Sequence, residues 1–492
     1  MKILLVYPKY PDTFWSFKYA LKFISKKASF PPLGLLTVAA MLPEDWEKKL
    51  IDMNVSALTE KDLEWADYVF ISAMVVQKRS AVEVIRRCKK LGIKVVAGGP
   101  LFTTGYEEFE NIDHLVLNEA ESTLPSFLDD LKKGCTRHIY TSKEWPDLRK
   151  APLPQWELIN MKKYASMCIQ YSRGCPFNCE FCDIIVLNGH RPRTKSKDQI
   201  LGELEVLYAQ GWRGGVFFVD DNFISNKKRL KTEILPSLID WMKQKKYPFS
   251  FFTEASINLS DDEELMQLMA KAGFNKIFIG IETPNEDSLT ECNKYVNKNR
   301  NLIACVKKIQ NIGLEVQGGF IVGFDNDPVS IFERQISFIQ KSGIVTAMVG
   351  LLNAPRGTRL YNRLKKEDRL LNDSSGDNTD CSLNFIPKMN VETLMNGYKK
   401  ILNTIYAPKH YYKRVITFLK GYKPKPLRKN INLKFSHFKA FFKSIWFLGI
   451  KGKERLHYWK LISWTLLRRP RFFNLAISFA IYGFHFRKVA GI

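Results

Sequence analysis

Acidic residues are scarce at one end of this 492-residue chain. From Val391 to Ile492 there are 22 Lys and Arg against only Glu392 and Glu454, so most of the formal charge of +25 belongs to that segment. Long apolar runs are also lacking: the best candidate, Phe472 to Phe486, has 15 residues, below the ~20 needed to cross a bilayer. No transmembrane helix is expected. Residues 1–8 lack a cleavage site, so no signal peptide is predicted.

Paired cysteines are missing as well. Six of the nine cysteines are scattered without matching partners: Cys88, Cys135, Cys168, Cys292, Cys305 and Cys381. We interpret them as small buried hydrophobic side chains or bystanders. Their distribution argues against the disulfide framework of a secreted protein and predicts a reducing, cytoplasmic setting.

The other three cysteines are clustered. Cys175, Cys179 and Cys182 form a C-x3-C-x2-C set in the run SRGCPFNCEFCDI, with Phe181 directly before the last of them. Three thiolates in one short loop can ligate three irons of a four-iron cluster, because soft sulfur suits iron–sulfur sites. The fourth iron is then open to a substrate or cofactor. The alternatives are a zinc site, for which His190 is the only nearby histidine, a disulfide with a spare thiol, or three buried thiols.

The spacing and flanking residues of this loop resemble those of the radical S-adenosylmethionine (radical SAM) superfamily. The resemblance implies that Cys175, Cys179 and Cys182 hold a 4Fe-4S cluster whose open iron chelates S-adenosylmethionine. It also implies reductive cleavage of that cofactor to a 5'-deoxyadenosyl radical. An electron donor such as ferredoxin or flavodoxin is therefore an expected partner.

Residues 1–150 alternate β-branched runs with helical patterns. The candidate strands are 2–8, 48–54, 67–73, 93–100 and 114–120. Near-continuous apolar strands separated by helices indicate a parallel sheet covered on both faces. We predict a doubly wound, Rossmann-like α/β domain, whose ligands bind at the carboxyl ends of the strands. Gly98 and Gly99 follow one of these strands and would let the backbone approach a bulky group closely.

A doubly wound domain directly ahead of the cysteine loop resembles the cobalamin-binding domain of many radical SAM enzymes, and this resemblance implies cobalamin. The stretches that carry it are PPLGLL (31–36), MVVQ (74–77), GGP (98–100) and NEAE (118–121). One departure matters. Better-known domains ligate cobalt through the histidine of an Asp-x-His-x-x-Gly loop, which corresponds here to DMNVSAL (52–58). Either cobalamin binds without a protein imidazole, or the fold holds a different pocket or none.

Residues 151–365 repeat a strand-then-helix pattern six times. The candidate strands are 168–172, 215–220, 249–254, 276–282, 316–323 and 345–352. Six βα units are two fewer than a complete TIM barrel has. The radical SAM resemblance implies a partial (β/α)6 barrel with the cluster loop after its first strand.

Polar residues at the carboxyl ends of the barrel strands are site candidates, because reacting groups gather there. The resemblance implies that Asp220 and Asp221 contact the amino group of S-adenosylmethionine and that Glu282 meets its ribose or methionine portion. It also implies that the GFIVG motif, Gly319 to Gly323, lines adenine and that Phe181 belongs to the cofactor site. Carboxylates suit these tasks as hydrogen-bond acceptors, but the two aspartates could instead cap the following helix.

Three arginines flank the cluster loop. Arg173, Arg191 and Arg193 either hold a carboxylate or phosphate by bidentate pairing or are ordinary surface charges.

Residues 366–492 are predicted to form a basic, aromatic-rich, helical C-terminal domain after the polar linker 372–380. From Lys420 onward, Lys and Arg alternate with Phe, Trp, Tyr and Leu. This pattern suits an interfacial helix on an anionic membrane surface, and the apolar run at 472–486 favours lipid. The alternatives are nucleic acid and helices that pack on the barrel. Two stretches of this region, NFIPKMN (384–390) and YKKILNTIYAPKHYYKR (398–414), resemble the C-terminal domain of a subset of radical SAM enzymes that includes hopanoid C-2 methylases. That resemblance covers essentially the whole chain.

Together these features predict a cobalamin-dependent radical SAM C-methyltransferase, peripheral to the cytoplasmic membrane, that acts on an unactivated carbon of a hydrophobic, lipid-like substrate. In this hypothesis the deoxyadenosyl radical removes hydrogen from the substrate carbon, which then takes a methyl group from methylcobalamin. One alternative is another radical reaction, independent of cobalamin or acting on RNA; methylthiolation of RNA would require further N-terminal cysteines. The other alternative is a non-catalytic, membrane-bound cobalamin or redox sensor.

Overall fold

The computed structural model describes residues 1–377, 379–424 and 435–492, so residue 378 of the predicted linker and residues 425–434 of the basic segment lie outside the described residues. Its first sheet has six parallel strands in the order β2-β1-β3-β4-β5-β6. The strands are β1 (Lys2–Tyr7), β2 (Glu47–Asp52), β3 (Tyr68–Ser72), β4 (Lys94–Gly98), β5 (His114–Val116) and β6 (Ile139–Tyr140). All five predicted strands are present, and the short β6 is an addition.

Helices cover both faces of this sheet, as predicted for a doubly wound domain. They are α2 (Leu33–Met41), α3 (Glu60–Glu64), α4 (Lys78–Lys90), α5 (Pro100–Gly105) and α6 (Ala120–Lys133), whereas the short α1 (Lys18–Leu21) contributes Ala20 to the barrel core. Alternate residues of β1 feed two separate cores, because successive side chains of a strand point to opposite faces. Leu4 and Val6 belong to one core, and Ile3 and Leu5 to the other.

The second sheet is the predicted six-stranded partial barrel, parallel throughout, in the order β14-β13-β12-β11-β10-β7. A short antiparallel hairpin, β8 with β9, stands at the base of the cysteine loop. The strands are β7 (Ser166–Ile169), β8 (Ser172–Arg173), β9 (Arg193–Thr194), β10 (Gly215–Phe218), β11 (Ser250–Glu254), β12 (Phe274–Glu282), β13 (Glu315–Val322) and β14 (Ala347–Leu351).

The barrel helices follow their strands in the chain. They are α7 (Ile184–Asn188), α8 (Lys197–Ala209), α9 (Lys227–Arg229), α10 (Leu235–Gln244), α11 (Glu263–Ala272), α12 (Glu286–Glu291), α13 (Leu302–Ile312), α14 (Ile331–Ser342) and α15 (Arg359–Lys366). The repeated strand-then-helix order brings the carboxyl ends of all six sheet strands to one rim, where the cysteine loop begins after β7.

The C-terminal region is helical in its described residues. Its helices are α16 (Val391–Tyr406), α17 (Pro408–Gly421), α18 (Phe435–Ser444), α19 (Arg455–Arg468) and α20 (Phe473–Val489), with a π-helical turn at Ile445–Ile450. Their buried residues share one continuous core with the barrel, so the packing alternative is realised for their inner faces. The outer faces of α18 and α19 remain exposed.

Both edges of the open barrel are covered. On one side, the hydroxyls of Tyr398 and Tyr406 on α16 donate hydrogen bonds to the Val349 and Ala347 carbonyls of β14, at 3.2 and 2.6 Å. On the other side, residues 27–29 run beside the chain entering β7, and the Ser166 N–H donates to the Ser29 carbonyl at 3.0 Å.

Residues 14–30 differ from their predicted place. They were assigned to the doubly wound domain with the rest of residues 1–150, yet Phe14, Ala20 and Phe23 belong to the barrel core. The Phe14 ring stacks on Phe486 of α20 at 4.3 Å between centroids. This segment is apolar because it closes the barrel, not because it serves the first sheet.

Candidate functional site

The cysteine loop projects from the carboxyl rim of the barrel and folds back on its own stem. Cys179 is buried, and Cys175 and Cys182 are partly buried. Gly174 has φ +93°, and a Cβ there would lie 2.7 Å from the Arg191 carbonyl oxygen, so glycine is required where the loop leaves β8. Burial raises the pKa of all three thiols, and the Lys294 ammonium opposes that effect.

Among the described residues, no three His, Cys, Asp or Glu side chains form a group that could hold a single metal ion.

Asp220 and Asp221 both brace the stem of the cysteine loop. The Asp220 carboxylate accepts hydrogen bonds from the N–H of Tyr171, at 3.1 Å, and from the N–H and hydroxyl of Ser172. Asp221 accepts from the Gly174 N–H at 2.9 Å and from the Asn188 side chain at 3.0 Å. The aspartates thus contact the loop itself.

Asp220 is almost fully buried, which has an electrostatic consequence. Burial raises the pKa of Asp220 to about 7, although the hydrogen bonds from Ser172 and Tyr171 favour its charged form. In this structure the Asp220 carboxyl contacts the stem of the cysteine loop, whereas the sequence predicts a contact with the cofactor or a helix cap.

The arginines beside the loop hold protein carboxylates of the first domain. Arg173 pairs with Glu119 at 2.5 Å and with Glu121 at 2.8 Å, and Arg193 pairs with Glu119 at 2.5 Å. These side chains are largely buried, and Glu119 and Glu121 belong to the NEAE stretch after β5. Arg173 and Arg193 therefore hold carboxylates, as one of the two sequence interpretations proposes, and these carboxylates belong to the first domain. Arg191 is exposed.

A cavity of about 490 Å³ lies between the loop, the barrel rim and the first domain. We call it the upper cavity. Its barrel side includes Phe181, Cys182, Gly280, Glu282 and Gly319. Its opposite side comes from the residues after β3 and β4: Met74, Val75, Val76, Pro100, Leu101 and Phe109. The predicted cluster loop and the carboxyl ends of both sheets thus converge on one space.

Glu282 ends β12 with φ +60° and faces this cavity. Its Oε1 accepts a hydrogen bond from the Lys294 Nζ at 2.8 Å, and both side chains are largely buried. The Lys294–Glu282 ion pair thus places a carboxylate in the cavity wall, on the side of the cysteine loop. Sequence reasoning missed Lys294, because it stands in a turn without periodicity and only its pairing distinguishes it from a surface lysine.

The predicted glycines fall into two groups. Gly319 lines the upper cavity, and a Cβ there would lie 2.8 Å from the Phe278 ring, so glycine lets that ring pack closely against β13. Gly323 instead faces Leu394.

Gly98 and Gly99 meet protein atoms. A Cβ on Gly98 would lie 2.6 Å from the Val116 carbonyl oxygen, and one on Gly99 would lie 2.7 Å from the Ser72 Oγ. The close approach expected of these glycines is thus one between neighbouring strand ends.

The DMNVSAL loop (52–58) is held by hydrogen bonds to the Asp52 side chain. The Asp52 carboxylate accepts from the Asn54 side chain at 2.8 Å and from the Tyr164 hydroxyl at 3.0 Å. None of residues 52–58 lines the upper cavity, and no histidine lies among the described residues that line it. The apolar part of the first-domain wall, which we call the apolar shelf, includes Met74, Val75, Val76 and Leu101, and the ion pair of Lys78 with Glu108 lies on the same wall.

Three family models match the chain. The B12 binding domain matches residues 24–128, the radical SAM superfamily matches residues 169–339, and a domain of unknown function, DUF4070, matches residues 358–492. These three matches follow one another along the chain in the same order as the two sheets and the C-terminal helices.

Two similar proteins align over nearly the whole chain. An uncharacterised methyltransferase of Synechocystis sp. is 42% identical over 99% of this chain and 91% of its own. The hopanoid C-2 methylase of Rhodopseudomonas palustris is 34% identical over 95% of this chain and 90% of its own.

Two solved structures share the fold. OxsB, a cobalamin-dependent S-adenosylmethionine radical enzyme with aqua-cobalamin and S-adenosylmethionine bound, has a TM-score of 0.64 at 15% identity, covering 99% of this chain and 83% of its own. The radical S-adenosylmethionine methyltransferase TsrM from Kitasatospora setae, with cobalamin and a 4Fe-4S cluster bound, has a TM-score of 0.59 at 15% identity. The match covers 76% of this chain and 79% of the TsrM chain. At such identities the likeness concerns the fold alone.

Proposed function

Because this chain belongs to the radical SAM superfamily, in the family of cobalamin-dependent methyltransferases, we propose that it methylates an unactivated carbon of a lipid-like substrate. The enzyme uses a 4Fe-4S cluster, S-adenosylmethionine and cobalamin. When bound, these groups supply reductive cleavage of S-adenosylmethionine and a transferable methyl group, while the protein positions them and excludes competing reactions. The observation that carries the proposal is the convergence of the cysteine loop and the apolar shelf on the upper cavity.

The chain's own residues have separate tasks in this proposal. Cys175, Cys179 and Cys182 hold the cluster, and Asp220 with Asp221 fixes the loop that carries them. Such bracing is valuable because ligands displaced by a fraction of an ångström bind a metal centre poorly.

The opposite rim would hold S-adenosylmethionine. Glu282, kept in place by Lys294, offers carboxylate oxygens to hydroxyl or ammonium groups. Gly280 and Gly319 line the cavity that would take the purine ring, and Phe181 borders it from the cysteine loop.

Cobalamin would rest on the first-domain shelf. Met74, Val75, Val76 and Leu101 present an apolar surface at the carboxyl ends of β3 and β4, the edge where doubly wound sheets bind their ligands. The shelf holds no imidazole in its described residues, so we propose cobalamin bound without histidine on cobalt.

A lipid-like substrate is supported by two observations. The first is the 34% identity to a protein named hopanoid C-2 methylase. The second is the exposed outer face of α18, the π-helical turn and α19, where the side chains of Phe442, Trp446, Leu456 and Leu467 are 49 to 82% exposed.

That outer face also carries cations. The Lys451 ammonium lies 4.8 Å from the Trp446 ring centroid, and interfacial helices combine such rings with cations on anionic lipid. None of the helices that the structure describes has the length and apolar character of a membrane span. We propose that this face docks at the inner face of the cytoplasmic membrane. The enzyme would also need a low-potential electron donor such as ferredoxin or flavodoxin.

The reaction is tested with anaerobically reconstituted enzyme, cobalamin, a chemical reductant and methyl-labelled S-adenosylmethionine. Labelled lipid is expected after incubation with a membrane lipid extract. Cleavage of S-adenosylmethionine without label in any lipid contradicts methyl transfer to lipid. Absence of 5'-deoxyadenosine favours the alternative of a non-catalytic, membrane-bound cobalamin or redox sensor.

The docking face is tested by flotation with anionic vesicles. Trp446→Ser and Leu467→Ser together are expected to lower vesicle binding about tenfold, because each removes apolar area from the interface. Leu153→Ser, at a half-exposed site of the first half of the chain, is the control. Crosslinking to RNA with no vesicle binding would favour RNA modification instead.

A further inference from the structure

A second cavity, of about 650 Å³, lies inside the barrel, nearer the amino ends of the strands. We call it the lower chamber. Its barrel wall includes Phe217 of β10, Phe252 of β11 and Phe278 of β12, and its other wall comes from residues 15–30 and from α20. The chamber exists because the six-stranded barrel is open and is closed by two segments from distant parts of the chain.

The lower chamber and the upper cavity are neighbours with two lining residues in common. Phe278 and Met348 line both spaces. The Trp15 Nε1–H donates to the Met348 Sδ at 3.1 Å, and the Trp15 ring meets Phe278 edge-on at 5.3 Å. Phe278 and Met348 thus form a wall that the chamber shares with the upper cavity.

The chamber wall is mostly apolar and rich in aromatic rings. Phe217 and Phe252 stack at 5.0 Å between centroids, and Phe30 lies 5.2 Å from Phe217. Such a space, of the size of typical small-molecule sites, favours a rigid hydrocarbon body.

Polar side chains of the strands also line the chamber, among them Glu254, Lys276 and Gln317. Burial raises the pKa of Glu254 to about 8, with further effects from Asp221 and Asp220, so this carboxyl carries a proton near neutral pH. A protonated carboxyl, an amide and an ammonium provide donors for a hydroxyl-type group on an otherwise apolar ligand.

The chamber adjoins the proposed membrane face. Leu21 and Ile24, which line it, flank Lys22 and Phe23. The Lys443 Nζ of α18 donates to the Lys22 carbonyl at 2.6 Å, and the Phe23 ring lies 5.8 Å from Phe447 of the π-helical turn. A ligand that leaves a lipid surface at α18 thus meets the chamber wall first.

We propose that the lower chamber binds the hydrocarbon body of the substrate, a bulky and largely apolar molecule with one polar group, and presents it to the upper cavity past Phe278 and Met348. The inference deepens the proposed function and rests on it for the reaction, but the binding itself needs neither cofactor nor turnover.

The test is photolabelling with a diazirine-bearing sterol, a largely hydrocarbon probe with one hydroxyl, on full-length protein with its cluster intact. Labelled peptides are expected within residues 15–30 and 478–482. Ser478→Phe, which extends a ring from α20 into the chamber, is expected to reduce labelling at least tenfold. Asn474→Phe, at an exposed position one turn earlier on the same helix, is the matched control and is expected to label as the unaltered protein does.

Ile24→Trp fills the chamber from the opposite wall and keeps the test decisive if Ser478→Phe fails to fold, as judged by cluster absorbance. No labelling, or labelling confined to the outer face of α18 and α19, overturns the chamber. Lipid methylation that survives in both filled variants also overturns it while the proposed function stands. Chamber labelling without any lipid methylation upholds the chamber and contradicts the reaction.

Discussion

The upper cavity and the lower chamber lie one above the other, yet the chain builds them in opposite ways. The upper cavity is lined by charged side chains held in ion pairs, Lys78 with Glu108 and Arg356 with Asp373, and by Glu282, which pairs with Lys294. The lower chamber is closed by packed rings from the two ends of the chain, such as Phe14 on Phe486. The contrast teaches that directional polar contacts fix the place of chemistry here, while shape and apolar area make room for the substrate.

The sharpest way to break this contrast is to remove a cluster ligand. Cys175→Ser, Cys179→Ser or Cys182→Ser replaces a soft thiolate with a poor iron ligand. We expect loss of bound iron and a fall in 5'-deoxyadenosine formation of more than about 100-fold, the upper range for residues that only support ligands. Iron content and product yield measure it. Cys135→Ser, at an exposed cysteine, should change neither; a full cluster in all three variants would refute the assignment.

The next largest effect is expected from the brace beneath the loop. Asp220→Asn replaces an acceptor of three hydrogen bonds with an amide that opposes some of the same donors. A cost of about 3 to 4 kcal/mol in the free energy of unfolding is expected, with faster loss of iron from the folded protein. Thermal unfolding and iron retention measure the two effects.

The exposed Asp240, with 71% of its side chain accessible, supplies the matched Asp240→Asn control. If Asp220→Asn retains iron as well as this control does, the loop does not depend on Asp220.

The domain clamp should matter somewhat less. Glu119→Gln leaves Arg193 with a neutral partner in a buried site, while Arg173 keeps its pair with Glu121. Removing one partner of such a buried ion pair costs about 3 kcal/mol. Because the clamp joins the first domain to the cluster loop, we expect methyl transfer to fall about tenfold more than cleavage of S-adenosylmethionine does. The ratio of the two products is the measurement.

Glu83→Gln is the control for the clamp, since Glu83 forms an exposed pair with Arg86, a kind worth little. A product ratio that stays at the control value would show that the clamp is structural only.

The smallest effect sharpens the picture of the lower chamber. Burial raises the pKa of Glu254 to about 8. The folded state therefore keeps the carboxyl proton at pH values where the unfolded chain, whose glutamate has its ordinary pKa, has already released it. Stability from this proton is present at low pH and is lost as the pH rises towards 8. The stability of Glu254→Gln relative to the unaltered protein should therefore rise by about 1 kcal/mol per pH unit between pH 5.5 and 7.5.

Denaturant unfolding across this pH range measures the effect. Glu264→Gln, at a side chain 69% exposed, should show no such slope. A flat profile for Glu254→Gln would mean that the chamber is wetter than its lining indicates.

The fold was largely predictable, because parallel strands buried on both faces appear in the sequence as continuous apolar runs. The radical SAM and cobalamin-binding resemblance, the mixed α/β architecture and the cofactors are confirmed by the comparisons. The boundaries near residues 150 and 365 and the roles of the individual site residues stay predictions.

Other features depend on partners that are remote in the sequence. Lys294 gains its meaning from Glu282 across a turn, and Phe14 from Phe486 at the far end of the chain. The segment 14–30 has no helical or strand period, so its role in closing the barrel emerges only from the packed structure.

The tyrosines of α16 have one more consequence. A sheet margin with free carbonyls is a template on which other chains can add strands. Tyr398 and Tyr406 donate hydrogen bonds from their hydroxyls to the Val349 and Ala347 carbonyls of β14. These carbonyls are then no longer available to an added strand. A chain shortened before Val391 would bare β14, and we expect it to self-associate into aggregates detectable by light scattering.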